Sequence, residues 1–203
     1  KESFLLHQYP ENRIFVNPYG VDLSMFKPLP NIPKKYDVIM VGGWGYEKGC
    51  DLIVEAIRKT NYSFIHVGSI KDVDFPQEKN FTHIDPVDQS KLIEYYNQAK
   101  VFILPSRQDG FGMVLSQALA CNLPIIGSNN CGAPDLKKMV ELPEYITIIK
   151  DYTADAIVTA IHTAIKNYEQ LGERIYAGNA IENLTWEAYG KRYANFLHKI
   201  IKQ

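Results

Sequence analysis

The chain has 203 residues, 46% hydrophobic and 22% charged, with a formal net charge of −1. That length buries a full core without disulfide or metal staples, and 22 basic against 23 acidic residues exclude the electrostatic footprint of a nucleic-acid binder. No apolar run approaches the roughly 20 residues of a membrane span and no leader is visible. Cys50, Cys121 and Cys131 lack metal-ligand spacing, which implies reduced thiols in a cytoplasmic protein.

Along the chain, apolar runs of strand length alternate with helical patterns. RIFVN (residues 13–17) reads as a strand, followed by the turn-rich PYGVD. DVIMV (37–41) is a buried strand ending in glycines. Residues 51–60 place Leu52, Ile53, Ala56 and Ile57 on one helical face. YSFIHV (62–67) and FTHI (81–84) are further strands, so His66 and His83 read as core or edge residues rather than as catalytic ones. QSKLIEYYNQAK is helical, VFILP (101–105) is a strand, and a helix follows with Phe111, Val114, Leu115, Ala118 and Leu119 at core spacing. LPIIGS and YITII are strands around a short helix near 134–140. Two helices, 155–168 and 185–202, close the chain on either side of the polar EQLGER. This alternation predicts an α/β fold, a Rossmann-like doubly wound sheet of about six parallel strands with helices on both faces. Its ligands would sit at the carboxyl ends of the strands, among the loops near 42–48, 106–113 and 129–135.

Those loops carry the candidate chemistry. In VGGWGYEKG (41–49), glycines follow a strand and Lys48 precedes a helix, a pattern open to two readings: a phosphate seat or a tight turn. It matches neither the dinucleotide fingerprint nor the Walker pattern. In SRQDGFGMVLSQ (106–117), Gly110, Phe111 and Gly112 expose backbone amides where a helix begins, a setting that attracts an anion. Asp109 is either the helix cap or an acceptor for the hydroxyls of a neutral group such as a sugar. Gln117 lies about 7.5 Å further along the helix axis, roughly the reach from a phosphate to a ribose, although a solvent-facing glutamine is the alternative. SNNCGAPDL (128–136) is a loop before a short helix.

In this order the segments resemble the C-terminal domain of the family 4 glycosyltransferases, retaining enzymes of the two-domain GT-B architecture. NPYGVDLSMFKP (17–28) is similar to the segment entering that domain, and VGGWGYEKGCDLIVEAI to its glycine–lysine loop and helix. VFILPSRQDGFGMVLSQALACNLPII resembles its stretch of two acidic residues flanking seven others, and LTWEAYGKRYANFL its closing helix. The resemblance implies a nucleotide-sugar donor held by Gly42, Gly43, Lys48, Arg107, Asp109, Gly110, Phe111, Gly112, Met113, Val114 and Gln117. Asp109 and Lys48 would carry the catalytic roles, on sugar hydroxyls and diphosphate respectively, while Gln117 takes the ribose diol. No cofactor or essential metal is implied. A sugar or lipid-linked acceptor would be held by a missing N-terminal domain.

Three departures stand out. Gly43 replaces an arginine of the family pattern, Asp109 a glutamate, and Gln117 a second glutamate; Arg107 is the sequence's candidate for replacing the absent arginine. The chain opens at Lys1 rather than methionine, which suggests an excised piece. Its expected organisation is a linker over 1–20, a nucleotide-sugar-binding domain over 21–184, and a helix over 185–203 that packs toward the missing domain. The fragment alone is expected to be catalytically silent, and the whole protein cytoplasmic, with peripheral membrane attachment left open. A degenerate, non-catalytic nucleotide-sugar-binding or interaction module is the alternative.

Overall fold

The computed structural model describes residues 1–171 and 178–201. Among them, six strands form one parallel sheet: β1 (Tyr36–Val41), β2 (Phe64–Val67), β3 (Phe81–Ile84), β4 (Ala99–Leu104), β5 (Ile125–Ser128) and β6 (Ile146–Ile149). Their spatial order is β3-β2-β1-β4-β5-β6, and every pairing is parallel. Successive strand residues point to opposite faces, yet Phe64 to Val67 and Val38 to Val41 are all buried. Both faces of the sheet are therefore covered, which explains why these strands read as unbroken apolar runs rather than as alternating ones.

The helices are α1 (Glu2–Leu6), α2 (Cys50–Lys59), α3 (Gln89–Gln98), α4 (Met113–Ala120), α5 (Ala133–Lys137), α6 (Ala154–Leu171) and α7 (Trp186–Ile201). In α2 the expected apolar face, Leu52, Ile53, Ala56 and Ile57, is buried with Val54. The long helix α6 packs on α2 and along β4, β5 and β6. None of these helices is long and apolar enough to cross a membrane. The strand order reverses between β1 and β4, which opens a crevice at their carboxyl ends.

RIFVN is not a strand. Residues 11–13 form a 3-10 turn, and the extended segment after it runs along α7 instead of joining the sheet. Its groups are satisfied there: the Phe15 ring stacks on Phe196 at 4.3 Å, and Arg192 Nε donates to Asn17 Oδ1 at 2.7 Å. A strand needs a ladder partner, and here the helix supplies side-chain partners in its place. On α7, Trp186 is 45% exposed, while Tyr189 and Phe196 are half-buried. The polar EQLGER stretch falls partly outside the described residues.

Candidate functional site

From each central strand the chain enters the following helix through glycine. After β1, Gly42 has a φ of 133°, residues 46–48 make a 3-10 turn, and Gly49 caps α2. This first loop is pinned by buried Trp44 and by the loop that follows β2. Trp44 N–H donates to the Ser69 carbonyl at 2.7 Å, Lys71 N–H to the Trp44 carbonyl at 3.0 Å, and Tyr46 N–H to Asp72 Oδ1 at 2.8 Å. From below, His66 Nε2 meets the Gly42 carbonyl at 2.8 Å and its Nδ1 meets His83 Nδ1 at 2.9 Å. A carbonyl only accepts, so His66 carries its proton on Nε2 and takes the His83 N–H at Nδ1. Burial, and next the adjacent His83, push the His66 pKa down to about 4 against the opposing pull of the Gly42 bond.

After β4, the second loop runs to Gly112, which caps α4 with a φ of 76° and no side-chain cap bond. That left-handed conformation disfavours any residue with a Cβ. The glycine there answers a geometric demand: it turns the chain so that the first amides of α4, which have no intrahelical acceptor, remain open.

Between the two loops lies a cleft of about 370 Å³. Val41, Gly42 and Lys48 form one wall, and Leu104, Asp109, Phe111, Gly112, Met113 and Val114 the other, with Tyr19 closing one side. Lys48 Nζ and Asp109 Oδ2 bridge the walls at 2.7 Å, their side chains 21% and 15% exposed. An ammonium has three donors, so Lys48 can hold Asp109 and still offer protons to an anion. The open amides of Met113 and Val114 add the positive end of the α4 dipole. One part of the cleft therefore favours negative charge, and the Asp109 carboxylate beside it favours hydroxyl donors.

A second hollow, of about 430 Å³, is lined by Pro28, Pro30, Pro33 and Asn97. It lies at the opposite end of the sheet, where Lys35 N–H bonds the Gln98 carbonyl just before β1 and β4 begin. Ligands of open α/β sheets bind at the other end.

Several sequence expectations fall elsewhere. Asp109 is not the cap of α4; Gly112 is, and Asp109 turns to Lys48. Gly43 and Gly110 flank the cleft without lining it. Arg107 does not enter it: its guanidinium forks onto Asp51 at 2.6 and 2.8 Å, donates to the Tyr46 carbonyl at 2.6 Å and lies 3.7 Å over the Tyr46 ring. A charge so fully engaged is a clamp between loops. Gln117 is 6% exposed, neither on the cleft nor in solvent, because its Oε1 accepts the hydroxyl of fully buried Tyr96 at 3.0 Å. The 129–135 loop stands behind the second loop rather than on the cleft: Asp109 N–H donates to the Asn130 carbonyl, Asn130 Nδ2 to the Arg107 carbonyl, and Gly132 N–H to the Phe111 carbonyl. Tyr19 lines the cleft edge-on to Phe111 at 5.8 Å. Packing brings it there from a segment remote in sequence from both loops.

The model of the group 1 glycosyl transferases matches residues 23–180. The chain belongs to this family. A probable sucrose-phosphate synthase of Thermosipho melanesiensis is 25% identical over 214 residues, covering 94% of this chain and 49% of that protein. The solved C-terminal domain of a group 1 family protein from Francisella tularensis superposes with a TM-score of 0.65 at 20% identity, over 80% of this chain and 95% of that domain. Anabaena HepE in complex with UDP-glucose superposes with a TM-score of 0.75 at 15% identity, covering 98% of this chain and 61% of HepE. The chain thus has the fold of the C-terminal half of a GT-B glycosyltransferase and spans about half the length of the relative matched in sequence. In this group 1 domain, the crevice at the β1–β4 reversal and the cleft bridged by Lys48 and Asp109 are the same place.

Proposed function

We propose that this chain is the donor-binding half of a retaining glycosyltransferase, which moves a sugar from a nucleotide sugar to an acceptor in glycan or polysaccharide synthesis. The observation that carries this reading is the Lys48–Asp109 bridge across the switch-point cleft, beside the open amides of α4. Lys48 takes the donor diphosphate, and Asp109 accepts sugar hydroxyls. The backbone from Gly110 to Val114 meets sugar and phosphate oxygens. These groups stabilise the departing diphosphate from fixed positions, which is how such sites lower a barrier, and no metal is assigned a role. HepE, similar in fold, is a protein solved with UDP-glucose, which favours the same donor class. The acceptor belongs to a further domain, so residues 1–203 alone are expected to bind donor without transferring sugar.

One observation favours a binding module without catalysis: Gln117 is neutral and turned into the core, which leaves the ribose side of the cleft without that contact. Sugar transfer by the full-length protein separates the two readings. Calorimetry of this chain with UDP, GDP and ADP tests the donor site they share. Binding of at least one is expected, and Lys48→Ala should weaken it by about 1–3 kcal/mol, the scale of a hydrogen bond to a charged group. The matching nucleoside should lose far less. Equal losses for nucleotide and nucleoside would make Lys48 a packing residue.

A further inference from the structure

The charges on the cleft walls cancel. Lys48 is matched by Asp109, and neighbouring Arg107 is consumed by Asp51. A nucleoside diphosphate brings more than one negative charge, so a cation that no carboxylate has already claimed would add net charge that the Lys48–Asp109 pair lacks. Such a cation stands at the mouth of the first loop. Lys71, from the loop after β2, lies across Gly43: a Cβ added at residue 43 would sit 2.6 Å from Lys71 Cε, 3.1 Å from Cδ and 3.4 Å from Nζ. The lysine side chain thus fills the space that a side chain at 43 would take, one residue from Gly42 on the cleft wall.

That position is built by the backbone. The Trp44–Ile70 bridge, the Lys71 N–H bond to Trp44 and the Asp72 bond to Tyr46 hold the Lys71 backbone flat on the glycine loop. Gly45 helps in the same way, since a Cβ there would sit 2.6 Å from Asp72 Oδ1. Asp72, the acid nearest in sequence, is occupied by the Tyr46 amide, and Lys71 forms no ion pair among the described residues. Its stem is flexible, so the ammonium can swing from Gly43 toward an anion over Gly42 while the backbone stays fixed.

We infer that Lys71 is a donor-binding residue of this site, supplying from the β2–β3 loop the unpaired positive charge that meets the diphosphate at Gly42 and Gly43. This rests on the nucleotide-sugar reading above. Residue 43 has no side chain, and a lysine from a neighbouring loop occupies the volume that one would take.

The test is calorimetry on four proteins: wild type, Lys71→Ala, Lys71→Arg, and Lys71→Ala combined with Gly43→Arg. The probes are whichever of UDP, GDP or ADP binds wild type, and the corresponding nucleoside. Lys71→Ala should lower diphosphate affinity about 10- to 100-fold, the range for a charge-assisted bond, and leave nucleoside affinity and thermal unfolding unchanged. Lys71→Arg should retain most of the affinity. The double variant should recover at least part of the loss, because the space beside residue 43 is then free for a guanidinium. Unchanged diphosphate affinity in Lys71→Ala, with Lys48→Ala still weakened, would overturn the assignment and leave the donor reading intact. Equal losses for diphosphate and nucleoside would also overturn it. Failure of wild type to bind any of the three diphosphates would overturn the donor reading, and this inference with it.

Discussion

The loops that leave β1 and β4 meet at one crevice and use glycine to opposite ends. The first, residues 41–49, has its backbone tied to Ser69, Lys71 and Asp72 on one side and to Arg107 on the other. What it presents to the cleft is a side-chain charge, Lys48. The second, residues 104–113, is tied from behind by Asn130 and Gly132 but leaves the amides that open α4 without a capping side chain. It presents a backbone dipole, and the charged side chain it adds to the cleft, Asp109, has the opposite sign. A glycine loop that is hydrogen-bonded shut offers side chains, whereas one left open offers amides. Perturbations of the two loops should therefore differ in kind.

The largest effect should come from locking the loops apart. Gly49 has a φ of 74°, and a Cβ there would run into the Pro105 carbonyl of the second loop. Backbone strain plus overpacking should cost Gly49→Ala about 3–4 kcal/mol in urea unfolding. A loss under about 1 kcal/mol would mean that the loops dock loosely.

Acid should act on the first loop through His66. Its folded pKa of about 4 lies below the ordinary 6.5, so the unfolded chain binds the extra proton first. This contribution is complete above pH 6.5 and is lost as pH falls toward 4, amounting to at most about 3 kcal/mol. The groups facing the imidazole are His83, the Gly42 carbonyl and the rings of Trp44 and Phe75, with Asp85 beyond His83 at 3.3 Å. His66→Asn should flatten the stability profile between those two pH values; an unaltered profile would place the acid sensitivity elsewhere.

Arg107→Ala breaks the clamp between the loops and leaves Asp51 half-covered without its partner, for a loss of about 2 kcal/mol. Arg107→Lys should recover less than half of it, since an ammonium cannot reproduce the fork onto Asp51 together with the stack on Tyr46. Full recovery would reduce the clamp to simple charge attraction. The smallest effect is expected behind the second loop. Gln117→Leu strands the buried Tyr96 hydroxyl and should cost about 1–2 kcal/mol of stability, with nucleoside diphosphate affinity unchanged. A selective loss of ribonucleotide binding would instead return Gln117 to the ribose.

Much of the scaffold was legible in the sequence. FTHI is β3 residue for residue, DVIMV lies within β1, and the helix that begins at Cys50 buries the apolar face its spacing predicts. These are local signals: a run buried on both faces must be apolar throughout, and a helical face must repeat near 3.6. RIFVN misled because strand-like composition states a preference for extended backbone, while strand formation depends on a partner that composition does not name. Lys48 and Asp109 were legible because each sits beside a glycine at a strand-to-helix junction. Their bridge was not, for it joins positions 61 residues apart.

The sequence by itself determined the alternation of strands and helices, and with it a parallel sheet whose cleft opens at the glycine-bearing loops after β1 and β4. Both follow from periodicity and from glycine's backbone freedom, properties written within a few adjacent residues. Only the tertiary structure decided which polar side chains are already engaged. Arg107 is bound to Asp51, Gln117 to Tyr96, and Lys71 lies over the bare backbone of Gly43. Each outcome turns on which side chain the packed sheet brings within reach. That distance is set by strand order and loop docking, which no local pattern in the chain encodes.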